Sequence, residues 1–441
     1  MSRLALTAEM LGRLRSELLE SPEETCAILF GRAVVRNGQL ARIVVRDMQL
    51  STAADYQMRS VLAAALRPEV VAAATKRARK NGESLVYVHS HPFALNEFSP
   101  IDNAGEQRLG EFLTRRTPGV IHATLLVTPD VTIARVLGSA KPLAVVGVGP
   151  ELVWGEPVLS GHDLPHFDRQ IRVFGAAGQD RLRSMRIVIV GLGGTGSVVL
   201  EQLAHLGVRR FLLIDPDVVE RTNLNRLVGA TESDIGKPKV EVAAAYARRI
   251  NPSVEVETRR GSVLLASTAE ECADADFIFC CTDSQGSRAV LNQLAYQYLV
   301  PVIDMGVSIG APEGNIVHIT GRTQMLAPGL ACLQCGEQLN PEAVRVDLLS
   351  EFERAADPYV VGIHEPAPAV ISLNATVSSM ATTMFLGAAI GVPSKPRLIN
   401  YNGMTGATRW AAINAHSKCV VCSQRGALAR ANEWPLPARL T

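Results

Sequence analysis

The sequence predicts an α/β protein of at least two domains, and three observations carry that prediction. At 441 residues the chain is longer than a single domain usually runs. In its second half a β-branched run, residues 186–190, passes through Gly191-Leu-Gly193-Gly194-Thr-Gly196 into an apolar-periodic helix over 197–206, and FLLID then gives a second strand ending in Asp215. In residues 1–145 helix and strand patterns alternate, and one strand, residues 85–88, runs directly into His89-Ser-His91-Pro.

The glycine-rich segment reads as a phosphate-binding turn. Glycines let the backbone approach a nucleotide, the helix N-terminus offers unpaired N–H groups, and an acid after the next strand suits ribose hydroxyls. Taken alone it admits NAD or FAD as readily as ATP.

Composition narrows the classes. With 44 basic and 43 acidic residues the net charge is +1, so nothing favours nucleic acid or an anionic membrane as partner. The basic run Lys76-Arg77-Ala-Arg79-Lys80 is read as a solvated helix face. Residues 1–20 carry Leu6, Met10, Leu11, Leu14 and Leu18 at helical spacing interrupted by charge, which predicts a surface helix rather than a signal peptide. No apolar run reads as long enough to span a bilayer, and a cytoplasmic location is expected. Eight cysteines include the pairs Cys332/Cys335 and Cys419/Cys422, which in a chain without an export signal point to metal rather than disulfides.

Taken in order, the first part predicts a helix, strands at 26–30 and 41–46, a helix at 67–80 and the strand at 85–88. Side chains two apart on a strand share a face, so His89 and His91 can address one ion, with Asp102 farther along. Two imidazoles and a carboxylate leave a fourth tetrahedral position for water, the pattern of a catalytic zinc site. Ser99-Pro100-Ile-Asp102 is also an ordinary helix start, with serine at N-cap and proline at N1.

The combination H-x-H-P, Ser99 eight residues after His91, and S-x-x-D resembles the JAB/MPN (JAMM) metalloprotease signature. The segment EETCAILFG resembles the upstream element of that family, with Ala27 where glycine is usual. The resemblance implies Glu24, rather than Glu23, as general acid/base, Ser99 as a donor to the oxyanion, and zinc on His89, His91 and Asp102. It implies a peptide or isopeptide substrate next to the C-terminal tail of a ubiquitin-like protein. A domain that keeps the pattern without the activity stays open.

Residues 146–165, rich in glycine and proline, are expected to be a linker, with His162 and His166 as surface histidines. Beyond them HFDRQ, GLGGTG, IDPDVVERTNLNR, GKPKVE, CTDSQGSRAVLNQ and the two CxxC pairs together resemble the ubiquitin-activating-enzyme-like adenylyltransferases of the ThiF, MoeB and HesA groups, over residues 166–425, leaving 426–441 as a tail. The fold class expected is thus a JAB/MPN-type α/β metalloprotease domain, residues 1–145, followed by a Rossmann-like adenylation domain with a four-cysteine zinc site.

The resemblance implies ATP and Mg²⁺ as ligands. The glycines Gly191, Gly193, Gly194 and Gly196 suit the phosphates and Asp215 the ribose. Asn223, Arg226 and Lys239 suit the triphosphate, and Asp283, on the turn after the strand DFIFCCT, suits magnesium. Arg169 would reach into the site of a second copy, which implies a homodimer. VPVIDMGV is a further strand candidate, continued to about residue 322. Cys332, Cys335, Cys419 and Cys422 would hold a closed structural zinc.

Two departures bear on the chemistry. Many such relatives carry an acyl-accepting cysteine in the crossover segment, but here residues 355–367 read AADPYVVGIHEPA. Cys26, Cys280 and Cys281 fall on expected buried strands and Cys272 precedes an acidic turn, so none reads as a nucleophile. Direct transfer, a separate conjugating protein's nucleophile, or an oxyester on Ser372, Thr376 or Ser378 remain, with His364 in the cysteine-free loop. Leu227 stands where a glutamine is usual after the arginine.

The expected function is processing of a ubiquitin-like or sulfur-carrier protein by the first domain and ATP-dependent adenylation of its C-terminal carboxylate by the second. Adenylation of a peptide or small molecule beside an inert scaffold domain is the alternative, and a nicotinamide oxidoreductase is the remaining one.

Overall fold

The computed structural model describes residues 2–93, 95–156, 165–356 and 368–440. The chain forms two compact units, one of Met1–Pro157 with Gln297–Leu299 and Ala427–Trp434, the other of Val158–Tyr296, Val300–Gly426 and Pro435–Thr441.

The first unit opens with β1 (Arg3–Thr7), not with the expected helix; α1 (Ala8–Leu19) follows once Thr7 Oγ1 accepts the Met10 amide at 3.1 Å. The apolar stretch before Thr7 lacks the charges that break up the later residues, and β1 pairs in parallel with strands on both sides, which leaves Leu4, Ala5 and Leu6 wholly buried. Then come β2 (Cys26–Arg36), β3 (Gln39–Leu50), the short hairpin β4 (Tyr56–Arg59) and β5 (Ala64–Leu66), α2 (Pro68–Asn81), β6 (Ser84–Ser90), α3 (Pro100–Arg116), β7 (Ala123–Val127), β8 (Thr132–Val136), β9 (Pro142–Val148) and β10 (Val153–Trp154). The sheet order is β1-β3-β2-β6-β7-β8-β9-β10, and the extra β1–β9 pairing joins its two ends. Leu11, Leu14 and Leu18 of α1 pack on one face of this sheet; Ala74 and Ala78 of α2 and Leu113 of α3 pack with Phe30 and Leu85 in a second cluster. Each leucine and phenylalanine among them contributes about 1.5–3 kcal/mol by leaving water. The stretch expected as a linker begins as sheet, in β9 and β10; its residues 157–164, with His162, lie outside those described.

The second unit runs α4 (Asp168–Ser184), β11 (Arg186–Val190), α5 (Gly196–His205), β12 (Arg210–Ile214), α6 (Lys239–Ile250), β13 (Glu255–Arg259), α7 (Ala266–Glu271), β14 (Phe277–Cys280), α8 (Gln285–Gln297), β15 (Val302–Gly310), β16 (His318–Leu326), α9 (Pro341–Leu348), α10 (Glu351–Ala356), α11 (Ile371–Ile390), β17 (Leu398–Asn402) and β18 (Ala407–Trp410). The sheet order is β13-β12-β11-β14-β15-β16-β17-β18, parallel from β13 to β15 and antiparallel beyond. After β11 the chain builds outward through β12 and β13, then returns to the other side of β11 with β14. That reversal opens a crevice at the carboxyl ends of β11 and β14, where α/β sheets bind ligands.

α11 corrects one expectation, since it is long and apolar enough to cross a membrane. It nevertheless packs against α5, β15 and β16, and Phe385 sets its ring 4.9 Å from Phe277 and 5.5 Å from Phe279. Its apolar length reflects a place in the core. The crossover residues 357–367, His364 among them, lie outside those described.

Candidate functional site

Each unit gathers its own set of polar residues. In the first, β6 delivers His89 at its end and His91 just beyond, both 4% exposed. Antiparallel pairing of β2 with β6 sets Cys26 opposite His89, so Glu24, two residues before β2's first pairing, falls beside the histidines. Asp102 arrives from the first turn of α3, where Ser99 is the N-cap: the Ser99 amide donates to Asp102 Oδ2 at 2.7 Å, and the Asp102 amide donates to Ser99 Oγ at 3.2 Å. The helix start and the charged cluster are thus one structure.

His89 Nε2 lies 3.1 Å from Asp102 Oδ1, His91 Nε2 lies 3.2 Å from Asp102 Oδ2, and Glu24 Oε1 lies 3.6 Å from His91 Nε2. Ligands about 2.0–2.1 Å from a tetrahedral zinc stand roughly 3.3 Å apart, so this trio has the spacing of a metal-ligand set. Two features fit that use. His91 Nδ1 contacts the Leu95 carbonyl at 3.0 Å, which can only accept, so the ring proton sits on Nδ1 and Nε2 keeps its lone pair. His89 Nε2 is buried with no hydrogen-bond partner. Burial raises the pKa of Glu24, with the nearby Asp102 charge adding to it and the two histidines opposing it. Burial likewise works against an ionised Asp102, but the neighbouring His89 and His91 and the contact with Ser99 outweigh it and hold this carboxyl well below the usual range.

In the second unit the glycine turn follows β11. Gly191 has φ +87°, and a Cβ there would stand 2.8 Å from the Cys281 carbonyl, so this position requires glycine as the loops after β11 and β14 come together. Asp215, at the end of β12 and 4% exposed, accepts the Leu192 amide at 2.6 Å and the Asp217 amide at 2.9 Å. Burial raises its pKa; those amides and the Lys239 charge work the other way. Lys239, opening α6, pairs with Asp217 at 2.8 Å. Asn223 turns its Oδ1 to the Glu220 amide at 3.2 Å, and its carbonyl accepts the Arg226 amide at 2.9 Å, so this turn presents Arg226, whose guanidinium donates to the Thr222 carbonyl at 2.7 Å. Asp283 is exposed on the turn after β14. Arg169, in the first turn of α4, is exposed and makes no hydrogen bond or ion pair among the described residues. Leu227 is 7% exposed and packs with Val219 and Val242, so the position that lacks glutamine serves a small apolar cluster instead.

Sequence reasoning missed Arg288 of α8. It donates to the Thr282 carbonyl at 3.2 Å and lies 3.4 Å from Asp304 Oδ1, which ties the turn carrying Asp283 to β15. Asp304 is wholly buried, with Arg322 as its other partner. A lone acid inside the apolar strand VPVIDMGV was the available signal, because a buried charge demands a partner.

All eight cysteines are described and none is in a disulfide. Cys332 Sγ and Cys419 Sγ are 3.6 Å apart, as are Cys335 Sγ and Cys422 Sγ, and all four sulfurs lie within 4.8 Å of one another. Thiolates about 2.3 Å from a tetrahedral zinc would be roughly 3.8 Å apart, so the cluster fits a closed metal site. The His416 and Val421 amides donate to Cys335 and Cys419 sulfurs at 3.3 and 3.4 Å, as such sites require of their surroundings. Of the other thiols, Cys26, Cys272 and Cys280 are at most 1% exposed, and burial pushes the Cys281 thiol far up. Ser378 is wholly buried and Thr376 donates to the Ser372 carbonyl at 2.9 Å, so these hydroxyls belong to the packed helix α11.

A parallel-sheet nucleotide crevice with a four-cysteine cluster, joined in one chain to a His/His/Asp domain, defines the class. Residues 167–422 match the ThiF family, and the chain belongs to it; residues 7–137 match the prokaryotic homologs of the JAB domain. The chain is 30% identical to the SAMP-activating enzyme E1 of Haloferax volcanii, over 61% of this chain and 92% of that one. It is likewise 30% identical to the molybdopterin-synthase adenylyltransferase of Escherichia coli, over 60% of this chain and 99% of that protein. A crystal structure of E. coli MccB with MccA-N7isoASN covers 59% of this chain and 76% of its own at 18% identity, with a TM-score of 0.48.

Proposed function

We propose that the second unit adenylates the C-terminal carboxylate of a ubiquitin-like or sulfur-carrier protein, and that the first unit is a zinc peptidase or isopeptidase acting on the same class of protein. What supports the first part is that the glycine turn, Asp215 and Asp283 follow the carboxyl ends of β11, β12 and β14, with Arg226 beside Gly194 and Lys239 paired to Asp217, within a chain of the ThiF family. The named adenylyltransferases among its relatives support it.

In this reading ATP lies in the crevice with its ribose on Asp215 and its phosphates between the glycine turn, Asn223, Arg226 and Lys239. Asp283 would hold Mg²⁺, which neutralises phosphate charge when bound. The substrate carboxylate attacks the α-phosphate, the bond to the β-phosphate breaks, and acyl-adenylate and pyrophosphate result. Positioning and charge neutralisation supply the rate, with no covalent step on the protein. Arg169 would complete the site of a second copy, so the working form is a homodimer. Outside the cluster Cys26, Cys272 and Cys280 are buried and burial holds the half-buried Cys281 thiol protonated, which favours direct transfer, or transfer to a separate conjugating protein, in a cytoplasmic setting. Cys332, Cys335, Cys419 and Cys422 would hold a structural zinc that cross-links the turn after β16 to the segment after β18.

In the first unit, zinc on His89, His91 and Asp102 would supply a Lewis acid and an activated water. Glu24 accepts a proton beside that trio and returns it to the leaving amine, a role suited to a carboxyl whose pKa is raised. Ser99 Oγ accepts from Asp102, which leaves its own proton for the substrate oxygen.

Exchange of labelled pyrophosphate into ATP, with the small carrier protein present, tests the adenylation reading. Exchange in wild type and its loss in Asp283→Ala are expected; no wild-type exchange, or full exchange in Asp283→Ala, overturns it. For the first unit, cleavage of a C-terminally extended carrier should vanish in Glu24→Ala while bound zinc is retained. Persisting cleavage rejects the assignment.

A further inference from the structure

Among the described residues, α11 carries one buried polar side chain that makes no hydrogen bond. Its hydroxyl residues satisfy themselves: Thr376, Thr382 and Thr383 each donate to the carbonyl four residues back, at 2.9, 3.0 and 2.9 Å. Asn374, in the first turn, is 6% exposed, and its carboxamide has no hydrogen-bond partner among the described residues. Neither amide atom is fully sealed from solvent, so this donor and acceptor remain open to a ligand.

Its surroundings identify the partner. The Asn374 Nδ2 stands against Gly194 of the glycine turn: a Cβ built on Gly194 would overlap it and would lie 3.4 Å from Arg226 Cδ. One turn along the same face, the wholly buried Ser378 donates from Oγ to the Thr195 carbonyl at 3.1 Å, which holds α11 against the turn. A side chain at 194 would therefore push the Asn374 amide aside, so glycine there leaves room for that amide as well as for a nucleotide. An N–H donor set among the turn's backbone and the Arg226 side chain calls for an acceptor-only ligand bearing negative charge.

We infer that Asn374 is a further nucleotide-binding residue, donating from Nδ2 to a phosphate oxygen of ATP, and that α11 thereby forms one wall of the phosphate cradle. This rests on the adenylation reading, because it takes the crevice to hold ATP. The donor is neutral, so it adds direction to the cradle without adding charge.

The test is calorimetric titration of the full-length protein with Mg-ATP and, separately, with adenosine, for wild type, Asn374→Ala and Asn374→Asp. A hydrogen bond to a charged group corresponds to a loss of about tenfold or more, so Asn374→Ala should weaken ATP by that factor and leave adenosine unchanged. Asn374→Asp, which keeps the shape and supplies a repelling carboxylate, should weaken ATP further. It also serves if the alanine variant fails to fold. A role confined to packing against Gly194 gives the opposite order, with Asn374→Asp near wild type. Wild-type ATP affinity in Asn374→Ala, or equal losses for ATP and adenosine, overturns the inference alone. Failure of wild type to bind ATP overturns the adenylation reading and this inference with it.

Discussion

Replacing Asp215 by asparagine separates the ribose contact from the fold that supports it. The carboxylate is 4% exposed and receives two backbone amides, Leu192 at 2.6 Å and Asp217 at 2.9 Å. Asparagine keeps the shape but turns an NH₂ toward one of those amides, so one hydrogen bond to a charged acceptor is lost, about 1.5–3 kcal/mol. Burial already disfavours the charged carboxylate, as its raised pKa records, and relief of that penalty offsets part of the loss. A net destabilisation of about 1–2 kcal/mol is expected in chemical denaturation. Binding should suffer separately, because the acceptor offered to the ribose loses its charge; about 2 kcal/mol corresponds to roughly a 30-fold weaker Kd for Mg-ATP. Titration with ATP and with 2′,3′-dideoxy-ATP isolates that term. Wild type should prefer ATP strongly and Asp215→Asn hardly at all. Equal preference for ATP in both proteins would refute the ribose assignment, whatever the change in stability.

Two further perturbations read other parts of the chain. His122 is buried, accepts the Leu85 amide at Nδ1 at 3.0 Å and meets Thr117 Oγ1 through Nε2 at 2.8 Å, and burial pushes its pKa down to about 4. Because the folded pKa lies below the ordinary 6.5, this group's contribution is complete above pH 6.5 and is lost as pH falls toward 4, to about 3 kcal/mol in all. Denaturation midpoints measured across that window should flatten in His122→Gln, and an unchanged pH slope would contradict the assignment. Cys335→Ser should reduce the zinc measured by atomic emission by one equivalent per chain and lower the melting temperature; undiminished zinc would exclude the four-cysteine site.

How much of this was readable in the sequence depends on the range of the contact. His89 and His91 declare themselves because residues two apart on a strand share a face, and the glycine turn because strand, loop and helix are contiguous. Glu24 is different. It reaches the histidines only through the β2–β6 register, which spacing does not supply and which entered through resemblance to a known family. The two CxxC pairs are legible as pairs, yet their meeting needs β16, β17 and β18 to lie side by side. The parallel β1–β3 and β1–β9 pairings leave no local signature at all, and residues 3–7 were absorbed into an expected helix. Asp304 was visible as a charge in an apolar strand, but its partners Arg288 and Arg322 were not. Nothing in the sequence sets Asn374 apart from the other polar residues of α11; its place beside Gly194 comes from the packing of that helix on the glycine turn.

The central claim is that this chain transfers an adenylyl group to a protein carboxylate. Its most direct measurement is the intact mass of the small carrier after incubation with the enzyme and Mg-ATP, read together with the nucleotide products. The account predicts a carrier heavier by one adenylyl group, with pyrophosphate released and no adduct when the carrier's C-terminal carboxylate is amidated. An unmodified carrier, or ATP converted to ADP and phosphate, would contradict it.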